Sequence, residues 1–324
     1  MAEWTLSAAL NRALLDAMDE DPRVLVFGED VGKLGGVFRV TDGLQAKFGE
    51  ERVFDTPIAE AGIVGAAIGL ALTGWTSVVE MQFDGFSYPA FEQIVSHLAK
   101  YRMRTRGRVE LPIVIRIPSF GGIKGKEHHG ESPETYLVHT AGLKVVTPSG
   151  ALDGYRLLRL AIVDPDPVIV LEPKARYWAK EDGELTTAGP GIGEGVVVRD
   201  GESCVVFAYG AMVARALEAA STLADEGVSA RVVDLRSLSP LDVELIGRCA
   251  RETGRAVVVH EAPRTLGLGA EIVARIVEES FDHLEAPVAR VTGWDVPYPP
   301  AALEQAYLPS VERIADAVRR TVAY

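Results

Sequence analysis

Asparagine occurs once in the 324 residues, at Asn11, and cysteine twice, at Cys204 and Cys249. Two cysteines without paired spacing argue against a disulfide framework or a zinc site and fit a reducing compartment. Basic excess is also missing, because the formal net charge is −13. A nucleic-acid partner needs a basic surface, so that class is set aside. The apolar run from Ala61 to Leu72 is twelve residues long, short of the ~20 that span a bilayer. The opening "MAEWTLSAALNRALL" lacks the layout of a signal peptide. A cytoplasmic protein is expected, or the processed form of an organelle protein, with no membrane partner.

Common phosphate and nucleophile motifs are missing too. "GGIKGKE" (121–127) ends in Glu127 where a phosphate loop needs Ser or Thr. "GLGAEI" (267–272) has Ile272 at the third glycine position of a dinucleotide fingerprint. "GFSYP" (85–89) lacks the second glycine of a nucleophile elbow. "HHGE" (128–131) has no distant third ligand, so it is a weak metal cluster.

What is present is an alternation of helical and strand patterns. Leu6, Leu10, Ala13, Leu14, Ala17 and Met18 recur at helical spacing. Strands are expected at 23–30, 77–83, 112–118, 143–148 and 167–173, with helices at 57–73, 87–105 and 150–163. The polar, Gly-rich "KEDGELTTAGPGIGEG" reads as a linker, 176–200. Strands at 203–210, 229–235, 255–261 and 288–294 then alternate with helices at 211–227, after 239, at 267–280 and at 310–322. Ser239, Pro240 and Asp242 read as N-cap, first position and third position of the helix they open. Such alternation implies parallel sheets covered by helices. Two α/β domains are expected, 1–175 and 201–324.

One stretch stands out. "DTPIAEAGIVGAAIGLALTG" (55–74) is a helix of small apolar residues with one acid, Glu60, at its head. With Thr56 as N-cap and Pro57 at the first helical position, a capping box needs its acid at Ala59, so capping does not explain Glu60. Gly62, Gly65 and Gly69 leave one face without side chains. Glycine costs ~1 kcal/mol inside a helix, a cost that close approach of a second helix or a cofactor offsets.

These residues carry a resemblance. "DTPIAEAGIVGAAIGLALTG", "EMQFDGF", "EHHGESPETYLVHTAGLKVVTPS", "DPVIVLEPKARYW", "VVDLRSLSPLD", "HEAP" and "VTGWDVPYPP" follow in this order along nearly the whole chain. Together they resemble the beta subunit of the thiamine-diphosphate-dependent decarboxylase component of 2-oxo acid dehydrogenase complexes, the branched-chain type above all. The resemblance implies a pyrimidine-binding α/β domain followed by a transketolase C-terminal-like domain. It implies oxidative decarboxylation of 2-oxo acids, with the acyl group passed to a lipoyl acyltransferase core. A pyruvate or acetoin dehydrogenase beta subunit, and a non-catalytic docking subunit, are the competing readings.

The resemblance also implies site residues. Glu60 would exchange a proton with N1′ of the cofactor's aminopyrimidine, general acid–base work worth ~10²–10⁴ in rate. His129, fixed in register by Ser132, Pro133 and Glu134, would relay a proton as the acyl group moves to lipoyl, suiting a ring that titrates near neutrality. The commoner family loop carries Tyr, Ser and Gln where this chain has His128, Gly130 and Glu131. Ile58, Gln82 and Phe86 would line the pyrimidine pocket, Phe86 without the hydroxyl that a Tyr there supplies in some relatives. Potassium is implied near Ile113, Ala161 and Asp164, mostly on backbone carbonyls. His139 reads as structural, as do His97, His260 and His283.

The family's magnesium site, which anchors the diphosphate, is GDG followed downstream by Asn. This chain has no GDG, and its one Asn is Asn11. The resemblance therefore implies an alpha subunit that holds magnesium and the diphosphate, in an α₂β₂ heterotetramer.

Overall fold

The computed structural model describes residues 2–324. Among the described residues the strands form a seven-stranded sheet, a five-stranded sheet and a two-stranded ribbon. The larger sheet is built on strand Val24–Gly28, which is buried throughout and pairs in parallel with Val53–Asp55 and Thr76–Glu80. Ile113–Ser119, Val168–Pro173 and Lys144–Val146 continue it in parallel. Strands buried on both faces carry near-continuous Val, Ile and Leu, as parallel sheets require. The helix Leu6–Glu20 lies against Ala151–Val163 on one face, with Leu6, Leu10, Leu14, Leu157 and Leu158 in a shared core. The Gly- and Ala-rich helix Glu60–Leu72 covers the other.

The smaller sheet centres on Cys204–Ala208, flanked in parallel by Ala230–Asp234 and Ala256–Pro263, with Ala289–Gly293 beyond. Helices Met212–Asp225 and Val311–Val322 share one hydrophobic cluster; Val243–Thr253 and Gly269–Ser280 belong to another. The second cluster contains Leu25, Ile115, Phe207 and Val258, residues from both halves of the sequence.

Both sheets differ from all-parallel at an edge. Val196–Arg199 pairs antiparallel with Ala230–Asp234, and Ser237–Ser239 pairs antiparallel with Lys144–Val146. Thus the second half of the chain lends a strand to the first sheet. Residues Lys180–Gly183 likewise return to pair with Ala2–Thr5. These strands are three or four residues long, too short for periodicity to reveal.

Two expected helices are corrected. Asp242 caps Val243–Thr253 by accepting from Leu245 N, because Ser237–Ser239 is engaged as a strand. The expected helix at 87–105 is broken into short turns: Asp84–Ala90 and Leu98–Lys100 are 3₁₀, Gln93–His97 is a π-turn, and Tyr101–Arg104 is α. Pro89 lacks the N–H that a regular helix needs there. No helix among the described residues is long and apolar enough to cross a membrane.

Candidate active site

Glu60 takes its position from the sheet edge. Thr56 N donates to the Gly28 carbonyl at 2.9 Å, which keeps the chain extended past Asp55. The helix therefore opens at Glu60 itself, with Ala59 as N-cap and no side-chain cap. This corrects the expected cap at Thr56 and first position at Pro57. Ile58 projects outward and is 84% exposed, whereas Glu60 is 7% exposed. The Glu60 carboxylate accepts no hydrogen bond from another described residue, and a helix N-terminus favours an anion at that place.

Glu29, just beyond strand Val24–Gly28, is buried with one oxygen lacking a hydrogen-bond partner. Burial pushes its carboxyl up from the ordinary value, helped by the charges of Glu60 and Asp30. Asp30 in turn accepts from Gln82 Nε2 at 2.8 Å. Glu29 thus lies within the electrostatic reach of both Glu60 and Asp30, and Asp30 holds Gln82. Beside the Glu60 head, the glycine face is open: nothing stands within 4 Å of a Cβ placed at Gly69, and the nearest atoms to one at Gly62 or Gly65 are 3.7 Å away.

Gln82 leads into Phe83 and Phe86, which meet His129. The Phe83 and His129 ring centroids lie 4.2 Å apart, and Phe86 stands edge-on at 5.3 Å. Asp84, between them, forms a buried ion pair with Lys174 and accepts from Gly85 N at 2.8 Å. That pair pins the turn that presents both phenyl rings.

His129 sits on a loop closed at its neck by Phe120 N donating to the Glu131 carbonyl at 2.9 Å. Its Nδ1 lies 2.7 Å from the Glu127 carbonyl oxygen. A carbonyl only accepts, so Nδ1 donates its hydrogen there, and Nε2 has no hydrogen-bond partner among the described residues. His128 is exposed, in a left-handed conformation with φ 65°.

The structure brings Phe86 and His129 together, with Gln82 held by Asp30 just before Phe83, whereas Glu60 makes no hydrogen bond to this group among the described residues. Ile113, Ala161 and Asp164 stand apart. Ile113 begins the strand whose far end leads to the His129 loop, and Ala161 and Asp164 close the helix Ala151–Val163. Both Asp164 carboxylate oxygens are 2.7 Å from Lys144 Nζ, which already balances their charge. No group of three or more His, Cys, Asp or Glu among the described residues is placed to hold a metal ion.

Glu29, Phe83, Asp84 and Lys174 were missed in the sequence. Glu29 is signalled only by lying at the end of a buried strand, and Lys174 lies 90 residues from its partner.

The description "Transketolase, pyrimidine binding domain" matches residues 2–179, and "Transketolase, C-terminal domain" matches 193–314. The 3-methyl-2-oxobutanoate dehydrogenase subunit beta of Mycobacterium tuberculosis is 56% identical over 319 residues, covering 98% of this chain and 92% of that one. A pyruvate dehydrogenase E1 component subunit beta from Leifsonia xyli is 51% identical, covering 98% and 94%. A 2-oxoisovalerate dehydrogenase subunit beta from Pseudomonas aeruginosa is 43% identical, covering 99% and 96%. A solved structure described as a split gene transketolase, an inactive beta4 tetramer, superposes with a TM-score of 0.81 at 28% identity, covering 98% of each chain.

Proposed function

The chain belongs to the beta-subunit family of thiamine-diphosphate-dependent 2-oxo acid dehydrogenases, and from that premise we propose that it is the beta subunit of a branched-chain 2-oxo acid dehydrogenase decarboxylase component. The observation that carries the reading is Glu60: a buried carboxylate with no hydrogen-bond partner among the described residues, at a helix head flanked by open glycines. Those residues fit a flat aminopyrimidine that brings its own donors. They do not fit its diphosphate, because the chain has no GDG and one Asn. Half of a cofactor site calls for a second chain, so an alpha subunit supplies magnesium and the diphosphate cradle in an α₂β₂ assembly.

When bound, thiamine diphosphate supplies the electron sink for decarboxylating a 2-oxo acid. The roles of this chain follow from its own atoms. Glu60 takes and returns a proton at the pyrimidine N1′, and Ile58 and Phe86 offer apolar surface beside the ring. Gln82, fixed by Asp30, offers its amide at the pocket wall. His129, with Nε2 free, moves a proton while the acyl group passes to the lipoyl acyltransferase core. Potassium belongs to the proposal only as a structural ion on carbonyls near Ile113, Ala161 and Asp164. We place the enzyme in the cytoplasm, where Cys204 and Cys249, both buried and free, stay reduced.

The greater identity to the 3-methyl-2-oxobutanoate relative favours branched-chain substrates, whereas the 51% identity to a pyruvate dehydrogenase subunit supports pyruvate as the second reading. Co-expression with the alpha partner and assay on 3-methyl-2-oxobutanoate against pyruvate separates them. Preference for pyruvate overturns the branched-chain assignment. Full decarboxylation by this chain alone overturns the shared-site reading.

A further inference from the structure

We infer that Tyr298 and Glu304, both from the second α/β unit, form a latch that positions the loop carrying His129. Six of the ten residues of the loop, "GGIKGKEHHG" (121–130), are glycine or histidine, so it has few side chains of its own to pack. Glycine loses more backbone freedom on ordering than any other residue, so such a loop needs external anchors.

The anchors come from far along the chain. Glu304 is 1% exposed. Its Oε1 accepts from Gly122 N at 3.1 Å and Lys124 N at 3.0 Å, and its Oε2 accepts from Lys124 N at 3.1 Å. The Tyr298 hydroxyl donates to Oε1 at 2.8 Å. Glu261, at the end of strand Ala256–Pro263, accepts from Gly121 N at 2.9 Å. Hydrogen bonds to a buried carboxylate are charge-assisted and stronger than neutral ones.

The Tyr298 ring adds a steric half to the latch. A Cβ at Gly121 or at Gly130 would overlap the Tyr298 side chain, so the loop wraps the ring from both of its ends. Gly130 is the residue next to His129, and the absence of a side chain there leaves the space that the Tyr298 ring fills. His129 is thus gripped from the first unit by Phe83 and Phe86 and, through the loop backbone, from the second unit by Tyr298 and Glu304.

This inference rests on the proton-relay role proposed for His129. A misplacement of ~1 Å in a catalytic group can lower a rate by ~10². Loosening the latch therefore lowers acyl transfer while sparing decarboxylation, which depends on Glu60. Tyr298 and Glu304 are positioning residues, acting through His129.

The test uses the assembled α–β enzyme loaded with thiamine diphosphate and magnesium. Tyr298→Phe removes one hydroxyl and keeps the ring; Glu304→Gln keeps the shape. Two readouts are taken: amide hydrogen exchange across 121–130, and kcat/KM for acylation of a lipoyl domain beside decarboxylation with an artificial electron acceptor. Expected are faster exchange confined to the loop, acyl transfer down by about tenfold, and decarboxylation within about twofold of wild type. Unchanged exchange overturns the latch. Faster exchange with unchanged transfer also overturns it as a positioning device, as does equal loss of both reactions. If Glu304→Gln fails to fold, Tyr298→Phe carries the test alone. His129→Ala judges the underlying reading separately: unchanged transfer in that variant overturns the relay role, whereas loop exchange in Tyr298→Phe still decides whether the latch holds the backbone.

Discussion

The Tyr209 hydroxyl donates a 2.7 Å hydrogen bond to Oε1 of Glu134, joining the smaller sheet to the segment just after the His129 loop. Burial pushes the Glu134 carboxyl up to about 7, against the pull of the Tyr209 hydrogen bond. The folded protein thus keeps a proton that the unfolded chain releases near 4.5. Stability from this group is full below about pH 4.5, falls as pH rises, and is lost above about 7. Glu134→Gln is neutral at every pH and removes that slope. Thermal midpoints across pH 5–8 are expected to fall less in the variant than in wild type, an effect of up to ~3 kcal/mol. Parallel curves for the two proteins would show that Glu134 ionises freely in the fold.

Glu60→Gln separates a catalytic subunit from a docking one. Because the carboxylate has no hydrogen-bond partner among the described residues, the amide leaves no orphaned neighbour there, and the melting temperature of the assembled enzyme is expected to move little. Decarboxylation is expected to fall by ~10²–10⁴, the usual worth of a positioned acid–base group. Retained activity in a fully folded α–β complex would make this chain a scaffold.

Much of this site was legible because its signals are local. Glu60 stood out as the one acid on a helix of small residues, and His129 came from a loop motif read in register. The longer parallel strands and the helices between them followed from periodicity, but the short strands Val53–Asp55 and Ser237–Ser239 did not, nor did Val196–Arg199, which pairs into the smaller sheet from within the expected linker. What was not legible depends on distance. The bonds from Gly121 to Glu261 and from Gly122 to Glu304 cross 140 and 182 residues, and no spacing rule reaches so far. The start of the Glu60 helix was misplaced for a related reason: Thr56 and Pro57 look like a cap, yet the Thr56 amide is claimed by Gly28 on the neighbouring strand.

His129→Ala is expected to divide the two half-reactions. The ring packs on Phe83 and Phe86 and donates from Nδ1 to its own loop, so Nε2 is the nitrogen left to move a proton. Transfer of the acyl group to a lipoyl domain should drop by ~10² or more, whereas turnover with an artificial electron acceptor is partly retained. Equal loss in both assays would assign His129 to an earlier step or to substrate binding.

Arg116 gives the strongest stability prediction. It is buried in the centre of the larger sheet, with Nε and Nη2 on Glu172 at 2.7 and 2.9 Å and Nη1 on Glu80 at 2.7 Å. Tyr177 donates to Glu172 at 2.5 Å, completing the network. Glu80 lies two residues before Gln82, and its backbone packs against Gly28, one residue before Glu29. The network therefore underlies the platform that presents both site residues. Arg116→Met leaves two buried carboxylates without their cation, a change that costs about 3–5 kcal/mol. Adding Glu80→Gln and Glu172→Gln removes the stranded charges, so the triple variant is expected to regain stability relative to Arg116→Met. Urea unfolding of the three proteins measures this directly. If the single variant unfolds at the wild-type midpoint, the two carboxyls are neutral in the fold and the ion network does not hold the platform.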